Sequence, residues 1–90
     1  MKKNQIIRIN GQLGGTLFRQ EARQKGEKLG LMGHAQIEPT GDLRIDAEGE
    51  PDALEEFIAW CKIGPEGTEI QSVHVTDGDV QGFDRFMEMR

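Results

Sequence analysis

The chain has 90 residues, of which 36% are hydrophobic and 30% are charged, a composition that predicts one globular domain over residues 1–90. Its formal net charge of −5 disfavours nucleic acid as a partner, because an acidic surface repels a phosphodiester backbone. The basic start is followed by only two apolar residues, Ile6 and Ile7, before Arg8. This stretch is too short for a signal peptide or a membrane span, so we expect a cytoplasmic protein that does not contact membranes.

The first half of the chain predicts a strand, a helix and a second strand. Residues 5–10 are rich in isoleucine and predict a strand that Gly11 ends. Residues 18–30 carry apolar or small side chains at every third or fourth position, which is one face of a helix. Alternation over residues 32–38 predicts a half-buried strand, and the turn residues at 39–42 predict a hairpin.

The second half predicts a strand, a helix and two more strands. Residues 43–48 alternate most clearly, and we expect their polar face to contact water. A helix is predicted from Pro51 to Gly64, a fourth strand at residues 70–75 with a turn at 77–79, and a last strand at 83–89 whose register the pattern does not fix. The order β-α-β-β-α-β predicts an α/β (α+β) ferredoxin-like sandwich. It has an antiparallel sheet, two helices on one face and an additional C-terminal strand.

The loop between the first strand and the first helix is the segment most suited to chemistry. Gly11, Gly14 and Gly15 fall within five positions, so successive backbone N–H groups can converge on an oxyanion. Arg19 follows on the first helical turn, where a guanidinium can grip phosphate or carboxylate with two hydrogen bonds. The loop lacks the Gly-Lys-Ser/Thr ending of a P-loop. An anion site is one interpretation, and a flexible turn beside an exposed arginine is the other.

Three blocks of this sequence resemble the acylphosphatase family, small enzymes that hydrolyse the anhydride between a carboxylic acid and phosphate. The family signature Gly-x-Val-x-Gly-Val-x-Phe-Arg is similar to the segment Gly11–Arg19, with Leu13 and Thr16 at the valine positions. The segment Leu29–Gly33 and the strand after it resemble the second block. The segment Gly49–Pro65 resembles the family's second helix and its exit. Together the blocks lie within residues 5–75.

The resemblance implies roles for individual residues. The phosphoryl group would be held by the loop and the helix start, at Gly14, Gly15, Thr16, Leu17, Phe18 and Arg19. An asparagine on the second strand would orient the attacking water, but that position here is Ile37, which cannot form a hydrogen bond. We therefore expect weak or lost hydrolysis, with Arg19 as the remaining catalytic residue. Gln36 points to the opposite face unless the strand bulges, and Asn10 is a second possible source of an amide.

Three functional hypotheses remain open. The first is an acylphosphatase, slow or not, that acts on small acyl phosphates or carbamoyl phosphate. The second is a non-catalytic module that binds a phosphate or carboxylate anion, and the third is a protein-interaction or assembly domain that uses its edge strands. Whether Ile37 closes the water site to favour binding, or marks an unused site, stays open as well.

The other reactive side chains fit structural roles. Cys61 is the one cysteine, so no internal disulfide can form, and it falls on the apolar stripe of the second helix, as expected of a buried thiol. His34 and His74 fall on strand faces away from the expected core, and no ligand spacing accompanies them. We expect no metal and no cofactor. Arg23 is placed to pair with Glu27 one turn later.

Overall fold

The structure, a computed structural model, describes residues 1–13 and 16–89, except for the side chain of Thr16; Gly14, Gly15 and Arg90 lie outside the description. The predicted order of elements is confirmed. The bounds in chain order are β1 (Lys3–Gln12), α1 (Thr16–Lys28), β2 (Met32–Ile37), β3 (Leu43–Gly49), α2 (Pro51–Ile63), β4 (Glu69–Gly78) and β5 (Phe86–Met89). Neither of these two helices has the length and apolar character to cross a membrane.

The five strands form one sheet in the order β4-β1-β3-β2-β5. The pairs β1–β3, β1–β4 and β2–β3 are antiparallel, as predicted. The added strand β5 pairs in parallel with β2, from Gly33 opposite Phe86 to Gln36 opposite Met89, which fixes the register that the sequence left open. The complete sheet is therefore mixed, with β4 and β5 at its two edges.

The core lies between the sheet and the two helices. Phe18 of α1 and Phe57 of α2 are fully buried, and Trp60 contacts both rings, edge-on to Phe18 and stacked on Phe57. The strands contribute the side chains of one face only, because successive residues of a strand point to opposite sides. The buried strand residues of this face are Ile7, Ile9, Ala35, Leu43, Ile45, Ala47 and Phe86.

The connection from β4 to β5 crosses the face of the sheet that the helices leave open. Glu48 on β3 holds it: its carboxylate accepts hydrogen bonds from the backbone N–H groups of Gln81, Gly82 (3.0 Å) and Phe83 (3.3 Å), and from the side-chain amide of Asn4 (2.9 Å). Burial raises the pKa of Glu48, but these hydrogen bonds outweigh burial, and the net pKa lies below the ordinary glutamate value. The expectation that the polar face of β3 contacts water is therefore wrong at Glu48, which is 2% exposed.

The end of β4 and the start of β5 also differ from the prediction. The turn expected at residues 77–79 begins later, because Asp77 and Gly78 still pair with β1. The last strand begins at Phe86 rather than Phe83, because the Phe83 N–H donates to Glu48 instead of to a neighbouring strand.

Gly26 lets α1 pack against β5. A Cβ atom at this position would lie 2.5 Å from the ring of Phe86, which is 3% exposed and has little room to move. We expect Gly26→Ala to lower the free energy of unfolding by about 1–2 kcal/mol, because overpacking costs more than the gain in helix propensity. Urea unfolding tests this, with Gln24→Ala on the exposed side of the same helix as the control. A stabilised Gly26→Ala variant would show that the contact is not tight.

Candidate functional site

Buried side chains fix both ends of the glycine-rich loop. Leu13, the first loop residue, is 6% exposed, and Phe18 in the first turn of α1 is fully buried, so the chain is packed into the core at both of these positions. Gly11 has φ of 148° and lies so close to the carbonyl of Glu69 on β4 that no side chain fits there. Two of the predicted cradle residues, Gly14 and Gly15, lie outside the described residues.

The N-terminus of α1 follows directly after this loop. The helix begins at Thr16, two residues before the predicted start, so Thr16, Leu17 and Phe18 are its first three residues. Their backbone N–H groups have no acceptor within the helix, and the helix dipole makes this end electropositive. The first turn carries no acidic side chain that would offset this charge. Because Phe18 is buried in the core, it can contribute to an anion site only through its backbone N–H.

Two groups of the Arg19 guanidinium can be described, Nη1 and Nε. Its Nη1 donates to the backbone carbonyl of Met89 at 2.5 Å. Its Nε is buried, and no hydrogen-bond acceptor reaches it among the described residues. A buried donor without an acceptor costs about 1–3 kcal/mol, so an anion that accepted this hydrogen bond would recover that cost. Among the described residues, this N–H group therefore remains a donor that needs an acceptor.

The same contact brings Arg19 to the end of β2. Met89 is paired in register with Gln36, and Ile37 is the next and last residue of β2. Ile37 packs against the core cluster, on the side of the sheet that carries the helices. The side chain at position 37 is therefore the one on the Arg19 side of the sheet.

Neither of the two alternative amides lies on that side. β2 pairs with β3 without interruption from Met32 to Ile37, so no bulge turns Gln36 towards the helices, and Gln36 stays opposite Arg44. The amide of Asn10 donates to Asp42 at 2.7 Å. Among the described residues, neither amide replaces an asparagine at position 37.

Arg23 lies one turn after Arg19 and is neutralised by two carboxylates. The predicted pair with Glu27 is present, with 2.8 Å between Nη1 and Oε1. The sequence did not reveal its second partner, Glu88 on β5, at 2.6 Å from Nε. The hydrogen bond with Glu88 is the largest cause that raises the pKa of Arg23. Predicting that Glu88 pairs with Arg23 requires the register of β5. The sequence does not fix this register, because the apolar residues of β5 do not alternate.

The remaining reactive groups lie away from Arg19. Cys61 is fully buried, and burial raises the pKa of its thiol. His34 lies on the open face, where its ring contacts Phe83 and its Nε2 is 3.6 Å from Asp46. His74 is exposed on β4. Within residues 1–13 and 16–89, no cluster of three or more His, Cys, Asp or Glu side chains is arranged to hold a metal ion.

A family model and curated relatives identify the family of this chain. The family model described as Acylphosphatase matches residues 5–87. A protein named Acylphosphatase from Nocardioides sp. is 34% identical over 80 residues, which are 89% of this chain and 81% of that protein. Among solved structures, the acylphosphatase from Bacillus subtilis is 27% identical with a TM-score of 0.91 and full coverage of both chains. An acylphosphatase from Coxiella burnetii is 25% identical with a TM-score of 0.93, covering 98% of this chain and 93% of that one.

Proposed function

The chain belongs to the acylphosphatase family, and on this premise we propose that it binds acyl phosphates through Arg19 and the loop before α1 and hydrolyses them slowly. The observation that carries the proposal is Arg19, whose buried Nε has no acceptor among the described residues, in the first part of a helix with no acidic residue in its first turn. The two features supply a cation and, at the helix N-terminus, backbone N–H groups without an acceptor inside the helix.

This arrangement suits the phosphoryl half of a carboxylic-phosphoric anhydride. The phosphoryl oxygens carry the negative charge, and a guanidinium can bind two of them at once. Backbone N–H groups at a helix N-terminus bind the same oxygens without a counter-charge of their own. Catalysis of phosphoryl transfer consists mostly of positioning and charge stabilisation. These groups therefore lower the barrier to attack by water, which breaks the anhydride into a carboxylate and phosphate, without forming a covalent intermediate with the protein.

Ile37 limits the rate in this proposal. In the family, the residue at this position is the asparagine that orients the attacking water, and isoleucine can form no hydrogen bond with water. The acyl phosphate is an activated compound, so binding and charge neutralisation by Arg19 still leave some hydrolysis. We therefore expect the substrate affinity to be close to that of an enzyme with asparagine at position 37, and the turnover rate to be much lower.

Steady-state hydrolysis of benzoyl phosphate tests the role of Arg19. We expect Arg19→Ala to lower kcat/KM by on the order of a hundredfold, the cost of removing one well-placed charge-stabilising donor. Arg85→Ala is the matched control, because Arg85 is an exposed arginine (69%) paired only with its neighbour Asp84 among the described residues. Equal rates for wild type and Arg19→Ala would contradict the proposal.

Ile37 also favours a second candidate, an anion-binding module that does not turn over its ligand. In that case the wild type binds inorganic phosphate, and Arg19→Ala abolishes this binding. The wild type does not hydrolyse benzoyl phosphate above the uncatalysed rate. The wild-type rate, measured at high enzyme concentration, separates the two candidates.

A further inference from the structure

β4 lies at one edge of the sheet, and its central part carries few of the features that keep edge strands from pairing. It has ten residues, whereas β5 at the opposite edge has only four. Edge strands are ordinarily kept from pairing by charges, prolines, bulges or short length. From Ile70 to Thr76, β4 contains no proline and no Asp, Glu, Lys or Arg. A register shift against β1 falls only near one end, and from Ser72 to Gly78 the pairing with β1 is regular.

The sequence of this edge is complementary to itself. In an antiparallel pair of identical strands, a two-fold axis at His74 sets Val73 opposite Val75 of the second copy and Ser72 opposite Thr76 of the second copy. Directly opposite residues point to the same side of a sheet, so valines meet valines and hydroxyls meet hydroxyls. If the axis lay one residue earlier, Val75 would be opposite Gln71, and if it lay one residue later, Val73 would be opposite Asp77. Both alternatives pair a valine with a polar or charged side chain, so the axis at His74 is the most favourable of the three.

Apolar surface beside β4 remains uncovered. Val73 and Val75 pack against the core but are only partly buried. Ile63, at the end of α2, is 78% exposed, and the residue after it, Gly64, lies next to Ile70 of β4. These partly exposed apolar side chains border the edge at which a second copy of β4 would pair.

We propose that two copies of this chain pair through β4, antiparallel about a two-fold axis at His74, to form one continuous sheet with five strands from each copy. The axis stands perpendicular to the sheet, so the helices of both copies lie on the same side and each α2 flanks the new pair of strands. The interface leaves the other edge free, and Arg19 contacts β5 at that other edge. Pairing therefore does not depend on the proposed acyl phosphate site.

Cysteine crosslinking tests the register directly. His74 is exposed, and in this register His74→Cys places two thiols opposite each other across the axis, where strand spacing allows a disulfide. The native Cys61 is fully buried and leaves the reaction to the introduced thiol. Under mild oxidation we expect His74→Cys to give a covalent dimer of twice the 10.1 kDa chain mass on a non-reducing gel. The matched control Thr76→Cys, on the same face of the same strand, faces Ser72 of the second copy and should crosslink much less.

Charge reversal provides a second test that needs no oxidation. His74→Glu sets two carboxylates opposite each other in the dimer, while Arg8, its partner on β1, supports the folded monomer. We expect the dimer dissociation constant in sedimentation equilibrium to rise on the order of fivefold, and mixing with His74→Lys to restore association. Val80→Glu, an exposed position beyond β4, should leave the constant unchanged. A wild-type chain that stays monomeric at millimolar concentration, equal crosslinking of the two cysteine variants, or a mixture that does not associate would each overturn the proposal.

Discussion

Ile37→Asn should raise the hydrolysis of benzoyl phosphate by about a hundredfold, because in the proposed mechanism the substitution supplies the amide that orients the attacking water. Position 37 is the last residue of β2, on the helix side of the sheet. Arg19 reaches the same place through Met89, which is registered with the preceding residue. An amide added there therefore faces the group that we propose to bind the phosphoryl oxygens. Most of the increase should appear in kcat, measured at saturating substrate, and KM should change little.

Two variants make this result specific. Gln36→Asn places the same amide one residue earlier on the opposite face of β2 and should leave the rate unchanged. Arg19→Ala added to Ile37→Asn should remove most of the gain, because the water is useful only when the phosphoryl group is held. Ile37→Asn also loses packing against the core, so circular dichroism must show that it is folded at the assay temperature. A folded Ile37→Asn variant with the wild-type rate would contradict the role of position 37.

Glu48→Gln should lower the free energy of unfolding by about 2–3 kcal/mol at neutral pH, because hydrogen bonds to a charged acceptor are lost and one amide N–H₂ then faces donors. The carboxylate is 2% exposed and accepts from three consecutive backbone N–H groups of the segment that leads to β5. Urea unfolding at pH 7 measures the loss. In Glu48→Gln, the rate of amide hydrogen exchange should increase most, relative to wild type, at Gln81, Gly82 and Phe83.

The pH dependence has a defined sign. The folded-state pKa of Glu48 is lowered, so the carboxylate contributes stability that is fully present above its unfolded pKa of about 4.3 and is lost as the pH falls through the lowered folded value. Wild-type stability should therefore fall on acidification in this range, and the loss should be smaller in Glu48→Gln. Glu56→Gln is the control, because Glu56 is 63% exposed and its 3.7 Å pair with Lys25 is worth less than about 1 kcal/mol. Equal acid sensitivity of wild type and Glu48→Gln would contradict this account.

The elements with clear periodicity were predictable, and the elements fixed by distant contacts were not. β3 and α2 follow from alternation and from Pro51 and Gly64 at the helix ends, which are local signals. β5 has four residues, and its place depends on Phe86 packing against Gly26, some 60 positions earlier. Likewise, alternation correctly put Glu48 on the face away from the helices, but only the path of residues 79–85 makes that position buried.

In the candidate site, the sequence likewise identified individual residues but not the contacts that depend on β5. Arg19 and Ile37 could be singled out from the residues and the family resemblance, because both fall within blocks of consecutive positions. The contact of Arg19 with Met89, and of Arg23 with Glu88, depends on β5 and could not be predicted. Gln36 was correctly placed away from the helices, since the alternation of a regular strand is enough to decide it.

The most direct test of the central claim is a titration of the wild-type chain and Arg19→Ala with inorganic phosphate, followed by the amide NMR spectrum. We expect saturable shifts of the amides from Gly11 to Arg19 in the wild type. In Arg19→Ala the affinity for phosphate should fall at least about tenfold, as expected for removal of a charged hydrogen-bond donor. Shifts that fail to saturate, or equal affinities for the two proteins, would show that this chain has no phosphate site built around Arg19.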